Sequence, residues 1–138
     1  DSDVFVQTHC TNPLLRSETI SSAIERFQKS SEDSLFSVTP LRTRLWTEDI
    51  EPINHVRGEL KPTQELDPVY EENSNLYIFT RDSIEKTSNR IGEDPTIYRM
   101  DAQEAVDIDY PQDFEYAEFL HRQKYGSNPA PSEVTNRD

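Results

Sequence analysis

The densest chemical signal in the chain is Val106-Asp107-Ile108-Asp109-Tyr110-Pro111-Gln112-Asp113. Asp107 and Asp109 flank one apolar residue, and Pro111 follows two places later. Proline suits the first turn of a helix, where its missing N–H leaves no intrahelical bond unmade. Ala105, Val106 and Ile108 are compatible with a strand. The pattern therefore predicts a short strand over 105–108, a tight turn, and a helix from Pro111. Side chains at i and i+2 of an extended segment point the same way. Asp107 and Asp109 would then project together from the carboxyl end of a strand, the edge at which open α/β sheets bind ligands. Paired carboxylates call for a counter-charge, and Mg²⁺, a hard cation that keeps several waters, matches such a donor set. Aspartates ahead of a helix also act as plain caps or dipole partners, and Asp113, inside the first turn, fits that simpler role.

The elements that must position these residues follow from periodicity and punctuation. Val4 to Thr8 reads as a short strand whose apolar run is consistent with a buried, parallel position. The polar loop His9-Cys10-Thr11-Asn12-Pro13-Leu14-Leu15-Arg16 comes next, a second position on the ligand edge. His9, Thr11, Asn12 and Arg16 could hydrogen-bond a ligand there, and Thr11 and Asn12 could equally cap local backbone groups. Ile20, Ala23, Ile24 and Phe27 make one apolar stripe on a helix from Ser17 to about Ser30. Leu35 to Thr39 is the next strand, closed by Pro40. The unit is β–loop–α–β, expected as a right-handed crossover. Leu41 to Pro68 reads as a long excursion with one hairpin, Trp46–Glu48 against Asn54–Val56. A stretch of that length is usually functional or interfacial, and Trp46 and Ile53 suit either a partner surface or local packing. Asn73-Ser74-Asn75 is turn-like and Leu76 to Phe79 strand-like. A helix over Arg81–Asn89, a strand over Thr96–Met100 and a last helix from Pro111 to about Tyr125 complete the reading. Phe114, Ala117 and Leu120 would share a face of that helix, Gly126 would stop it, and the polar remainder to Asp138 is expected to be disordered. The expected fold class is α/β with a mostly parallel sheet.

Composition narrows the function. The chain has 138 residues, 27 acidic against 14 basic, and a net charge of −13. Nucleic acid and anionic membrane are poor partners for it, because both require clustered Lys and Arg. Hydrophobic content is 33%, which allows only a thin core. The single cysteine, Cys10, cannot form an internal disulfide and fits a reducing, cytoplasmic compartment; it is expected to be a buried structural residue. No apolar run reaches membrane-spanning length. Zinc spacings and the G-x-S-x-G and G-x-G-x-x-G motifs are absent. With three glycines in all, the chain holds no phosphate-cradling glycine loop.

Three stretches in order carry a family resemblance: Thr11-Asn12-Pro13-Leu14-Leu15, then Gln64-Glu65-Leu66-Asp67-Pro68-Val69-Tyr70-Glu71-Glu72-Asn73-Ser74-Asn75-Leu76-Tyr77-Ile78, then Asp107-Ile108-Asp109-Tyr110-Pro111-Gln112-Asp113 with Ala117-Glu118. Together they resemble the acylneuraminate cytidylyltransferases, or CMP-sialic acid synthetases, from about Asp3 to Leu120. The resemblance implies a Rossmann-like nucleotidyltransferase sandwich. It implies transfer of CMP from CTP to the anomeric hydroxyl of an acidic nine-carbon sugar, with release of pyrophosphate, in a Mg²⁺-dependent homodimer. On that resemblance Asp107 and Asp109 are the metal-binding and catalytic aspartates. Tyr77 is the tyrosine near the sugar, Asn73 the asparagine of a usual Asn-Gly, and Gln64 the glutamine of an R-Q-x-L-P stretch. His9, Thr11 and Asn12 fall in the substrate loop, with His9 where the family's sugar-contacting glutamine stands. Residues 41–68 correspond to a dimerisation element that also reaches the neighbouring subunit's sugar site.

The departures are specific. Thr63 stands where an arginine for the sugar carboxylate is expected, with Lys61 or Arg57 as substitutes. Ser74 replaces the usual glycine, and Arg90 and Ile91 stand where some members carry two phenylalanines. The family's opening R-x-G-S-K loop, which holds CTP, has no counterpart. Residues 3–125 are thus expected to be a truncated C-terminal portion, inactive alone. A non-catalytic dimeric scaffold keeping the half-fold is the alternative, and another sugar or pyrimidine class a third reading.

Overall fold

The computed structural model describes residues 3–126. In chain order these form β1 (Val4–Thr8), α1 (Ser17–Gln28), β2 (Ser34–Leu41), β3 (Val69–Thr80), α2 (Arg81–Thr87), β4 (Pro95–Arg99) and α3 (Pro111–Tyr125), with a short 3-10 turn at Thr63–Glu65. The fold class is α/β, as the sequence predicts. The one sheet has the order β1-β3-β2-β4. β3 runs antiparallel to both its neighbours, and only β2 and β4 pair in parallel.

The sheet is therefore mixed and mostly antiparallel, which corrects the expectation of a mostly parallel one. β1 and β2 do share a direction, since both oppose β3. β3 lies between them, so the β1–α1–β2 unit never makes the parallel pairing that a crossover suggests. Short apolar runs do not reveal which strand will be inserted between two others. The same insertion leaves β1 at the edge. Val4, Phe5 and Val6 are each 40–47% exposed, so β1 is not the buried strand its apolar run implies. Phe5 gains one ring contact, stacked on Phe79 at 5.8 Å.

The core lies between α1 and one face of the sheet. Ala23 and Phe27 pack on Leu35, Leu76, Ile78 and Met100, with Ile20 and Ile24 at the margin. This is the α1 stripe read from sequence, burying its 3.6-residue period against the alternate residues of two strands. Thr80 caps α2 by accepting the Ser83 N–H at 3.1 Å. The helix then ends at Ser88 in the left-handed region, before the predicted Asn89. In α3 the predicted face does not hold together. Ala117 is buried, Leu120 is partly buried and Phe114 is 59% exposed. A spacing of three slips by about 60° per step on a 3.6-residue helix, so the trio spreads over about 120° and Phe114 falls outside the stripe that Ala117 buries.

The excursion from 41 to 68 contains one tight hairpin. Thr47 N–H donates to the Glu51 carbonyl and Ile53 N–H to that of Leu45, at 2.9 Å each, with Trp46 bridged to Pro52. The return arm is therefore 51–53 and not the predicted 54–56. Asn54 is buried and clamps the hairpin base instead, accepting from Leu45 N–H at 2.9 Å and donating to the Thr43 carbonyl at 2.8 Å. The polar segment after Gly126 lies outside the described residues.

Candidate functional site

The loop after β1 and the segment before α3 are laced together. Ile108 N–H donates to the Thr11 carbonyl at 2.9 Å, and the Asn12 side-chain amide reaches the Val106 carbonyl at 3.4 Å. From β3, the Asn75 amide donates to the Ala105 carbonyl at 3.1 Å. These bonds replace a strand ladder, so residues 105–108 are irregular and the predicted short strand there does not form. Asn12 is buried and acts as a tie between loops, while Thr11 is exposed and contributes its carbonyl. Cys10, in the same loop, is exposed and not buried as expected; the loop turns outward at the sheet edge and leaves it no core to enter.

Arg16 fixes the other end of this segment. Its backbone N–H donates to one Glu104 oxygen at 2.9 Å, and its guanidinium holds the other through Nε at 2.9 Å and a terminal nitrogen at 2.6 Å. Glu104 is 5% exposed. Burial pushes its carboxyl up, but the hydrogen bonds from Arg16 and Thr19 outweigh burial and hold it below the usual carboxylate range. Arg16 therefore anchors the site and is not an open ligand group.

Asp107 and Asp109 stand free of this network. Both are exposed, and neither carboxylate has a hydrogen-bond or ion-pair partner among the described residues. The helix-capping role falls to Asp113, whose Oδ2 accepts from the backbone N–H groups of Asp109 at 3.1 Å and Tyr110 at 2.8 Å. Asp107 opens on a cleft of about 340 Å³ walled by Thr39, Glu71, Glu72 and Asn73. A larger cleft of about 630 Å³ runs between Arg16–Glu104 and the end of α3 and holds none of the other predicted site residues.

The far wall of the Asp107 cleft is built by a bulge in β3. Phe36 pairs with Tyr77, yet Val38 pairs with Glu72, so Asn73-Ser74-Asn75 is looped out, with Ser74 at φ +55°. The Asn73 side chain holds the bulge. Its oxygen accepts from the Ser37 hydroxyl at 2.6 Å and from Asn75 N–H at 3.2 Å, and its amide donates to Thr39 Oγ1 at 3.0 Å. In an unbroken strand Glu72 and Tyr77 would stand about 17 Å apart on opposite faces. The bulge brings them together, and the buried Tyr77 hydroxyl donates to Glu72 while also meeting Ser74 Oγ at 3.1 Å. Burial and then the Glu72 carboxylate push the Tyr77 hydroxyl above its ordinary pKa, so it remains a donor at neutral pH. His9 joins from β1's end. Its Nδ1 lies 2.5 Å from the Ser74 carbonyl and must donate, which leaves Nε2 to accept from Gln7. The His9 ring meets Tyr77 edge-on at 6.3 Å.

Asp107, Asn73, Tyr77 and His9 thus converge around one bulge, and Thr11 and Asn12 hold the Asp107 segment in place. Gln64 is exposed in the 3-10 turn, and no contact ties it to the others. Glu71, Glu72 and Thr39 escaped the sequence reading. The usable signal was the Asn-Ser-Asn turn inside a strand-like run, which folds Glu72 back onto Tyr77.

The sequence profile described as "Cytidylyltransferase" matches residues 1–129. The chain belongs to the cytidylyltransferase family. A "Post-translational flagellin modification protein B" of Campylobacter coli is 27% identical to this cytidylyltransferase over 127 residues, covering 88% of the chain and 54% of the relative. The chain thus spans about half the length of that curated relative. The cleft's free donors are oxygens, which suits a hard cation. Among the described residues no group of three or more His, Cys, Asp and Glu is placed to hold a metal. Asp107 and Glu71 put carboxylates on the cleft wall, the oxygen chemistry a hard cation takes, while Asp109 does not line that cleft. No helix among the described residues is long and apolar enough to cross a membrane.

Proposed function

We propose that this cytidylyltransferase transfers CMP from CTP to the anomeric hydroxyl of a nonulosonic, sialic-type acid. The hydroxyl oxygen forms a bond to the α-phosphorus, the bond from that phosphorus to the pyrophosphate oxygen breaks, and the hydroxyl proton leaves to solvent. The reading is supported by the family, by the motifs shared with acylneuraminate cytidylyltransferases, and by a relative named for flagellin modification. One observation carries the site: Asp107 and Asp109 are exposed carboxylates without partners among the described residues, and Asp107 faces the bulge-lined cleft.

Asp107 and Asp109 would hold Mg²⁺. The ion would neutralise phosphate charge and orient the triphosphate. The protein's own residues position the acceptor. Tyr77, buried behind the cleft wall and bonded to Glu72, and His9, edge-on to its ring, back the cleft, and the Asn73 bulge fixes where they stand. Positioning and charge neutralisation are the main catalytic terms available to phosphoryl-group chemistry. We assign homodimerisation to residues 41–68, whose Trp46, Ile50, Ile53, Val56 and Leu60 are exposed apolar side chains. A single cysteine accords with a cytoplasmic setting.

The test is CMP transfer by the protein with its upstream coding sequence restored, given CTP, Mg²⁺ and a panel of nonulosonic acids. Asp107→Ala and Asp109→Ala are each expected to lower kcat by about a hundredfold or more and to abolish Mn²⁺ binding measured by proton relaxation. The isolated 138 residues should yield no product, since no phosphate-cradling loop is among them. A folded, longer protein that transfers CMP to no acid in the panel overturns the reading.

A further inference from the structure

Arg90 lies over the Tyr77 ring, its guanidinium carbon 3.8 Å from the ring centroid. It is half-buried, and among the described residues it makes no hydrogen bond or ion pair. In a chain with 27 acidic and 14 basic residues, a carboxylate partner would be easy to supply. Arg90 has a tyrosine instead. An arginine placed over an aromatic face keeps its fork of N–H donors for a planar anion.

The position is well held. Ile91 N–H donates to Asn89 Oδ1 at 3.1 Å, Gly92 N–H to Ser34 Oγ at 2.8 Å, and Glu93 N–H to Asp33 Oδ2 at 2.9 Å. A Cβ at Gly92 would come within 2.2 Å of an Asp33 carboxylate oxygen, so the loop lies as close to β2 as a backbone can. The ring beneath Arg90 is equally fixed, because the Tyr77 hydroxyl is bonded to Glu72, a wall of the Asp107 cleft. A half-buried, unpaired cation on a rigid loop is a costly arrangement unless an anion completes it.

We propose that Arg90 is the residue that recognises the carboxylate of the acidic sugar, and so sets the preference for an acid over a neutral sugar. The proposal rests on the nonulosonic-acid reading above. Thr63 cannot supply that cation, Lys61 is paired with Glu59 at 3.0 Å, and Arg57 is exposed in the excursion, with no contact to the Tyr77 region among the described residues.

The test is calorimetric binding of a panel of nonulosonic acids, each beside its methyl ester, and of CTP, to the full-length protein and its Arg90→Ala and Arg90→Lys variants. Arg90→Ala should bind the acid about ten- to a hundredfold more weakly, with ester and CTP binding unchanged. Arg90→Lys should recover part of the loss, since it returns the charge without the fork. If Arg90→Ala does not fold, Arg90→Gln is read in the same way. Equal acid binding by parent and variant overturns the assignment, and so does a loss confined to CTP. A parent that binds CTP but none of the acids removes the sugar-acid reading itself, an outcome visible without any variant.

Discussion

Asn73–Asn75 and Leu41–Pro68 both interrupt β order, and they do so in opposite ways. The bulge is three residues long, and both polar atoms of the Asn73 side chain are bonded to β2 or to the bulge itself. Its neighbours Asn75, Leu76, Tyr77 and Ile78 are fully buried. The excursion is long, and its apolar side chains face outward, Leu60 at 94% exposure. Its hairpin base, where the Asn54 side chain clamps the two arms, is bonded internally as the Asn73 side chain is, although in the bulge the buried Asn75 Oδ1 has no hydrogen-bond partner among the described residues. Irregular backbone is stable where its polar groups find partners inside the fold. Where large apolar groups stay exposed together, the surface is of the kind that meets another protein. The bulge shapes the Asp107 cleft, and the excursion offers a surface.

The sharpest way to break this comparison is one truncation in the packed region against one in the exposed region. Leu35→Ala removes a fully buried side chain of the core and should lower unfolding free energy by about 2–5 kcal/mol. Ile53→Asp, at a position 55% exposed, should leave the unfolding midpoint of the monomer within about 0.5 kcal/mol. Its effect should appear in sedimentation, as a shift from dimer to monomer. Urea unfolding at low protein concentration separates the two. A monomeric parent, or an Ile53→Asp dimer of parental strength, would remove the contrast.

A smaller effect tests the anchor that holds the Asp107 segment to the core. Arg16→Ala leaves Glu104 buried without its cation and should lower the urea unfolding midpoint at neutral pH. The pH dependence has a definite sign. Folding depresses the Glu104 pKa below its ordinary value of 4.5. The pair's contribution is therefore complete above that value and is lost as pH falls through the lower, folded one. The gap between parent and Arg16→Ala should narrow as acid protonates the parent's Glu104 and removes the pair that the variant already lacks. A gap constant from neutral pH into acid would show that Arg16 acts through packing alone.

Legibility in the sequence followed the range of the interaction. The α1 stripe, the strand-like runs and the Asp113 cap are local and could be read directly. The place of β3 between β1 and β2 could not, because strand order depends on pairings across the whole chain. The unmade 105–108 strand had the right residues, but its backbone bonds went to Thr11, Asn12 and Asn75, from which it is remote in sequence. The site was legible in part for the same reason. Asp107, Asp109, Asn73 and Tyr77 sit in short motifs, whereas Glu72 meets Tyr77 through a register shift and Arg90 reaches the Tyr77 ring through a loop packed on β2.

The smallest effect distinguishes strain from packing inside the excursion. Ile50 sits at φ +62° in the hairpin loop, a left-handed conformation that a β-branched residue seldom adopts. It is 62% exposed, so its side chain recovers little by burial. Ser74 has nearly the same φ, at +55°, but its hydroxyl meets Tyr77 and its carbonyl accepts from His9. Ile50→Asn keeps a side chain of similar reach and tolerates that conformation, so it should stabilise the fold by about 0.5–1 kcal/mol. Ser74→Asn relieves nothing comparable and forfeits the Tyr77 contact, so it should be neutral or destabilising. Thermal unfolding of the two variants side by side reads the difference. A destabilised Ile50→Asn would mean that the Ile50 side chain is buried in solution, as it would be beneath a partner subunit, and the strain would then be offset at that interface.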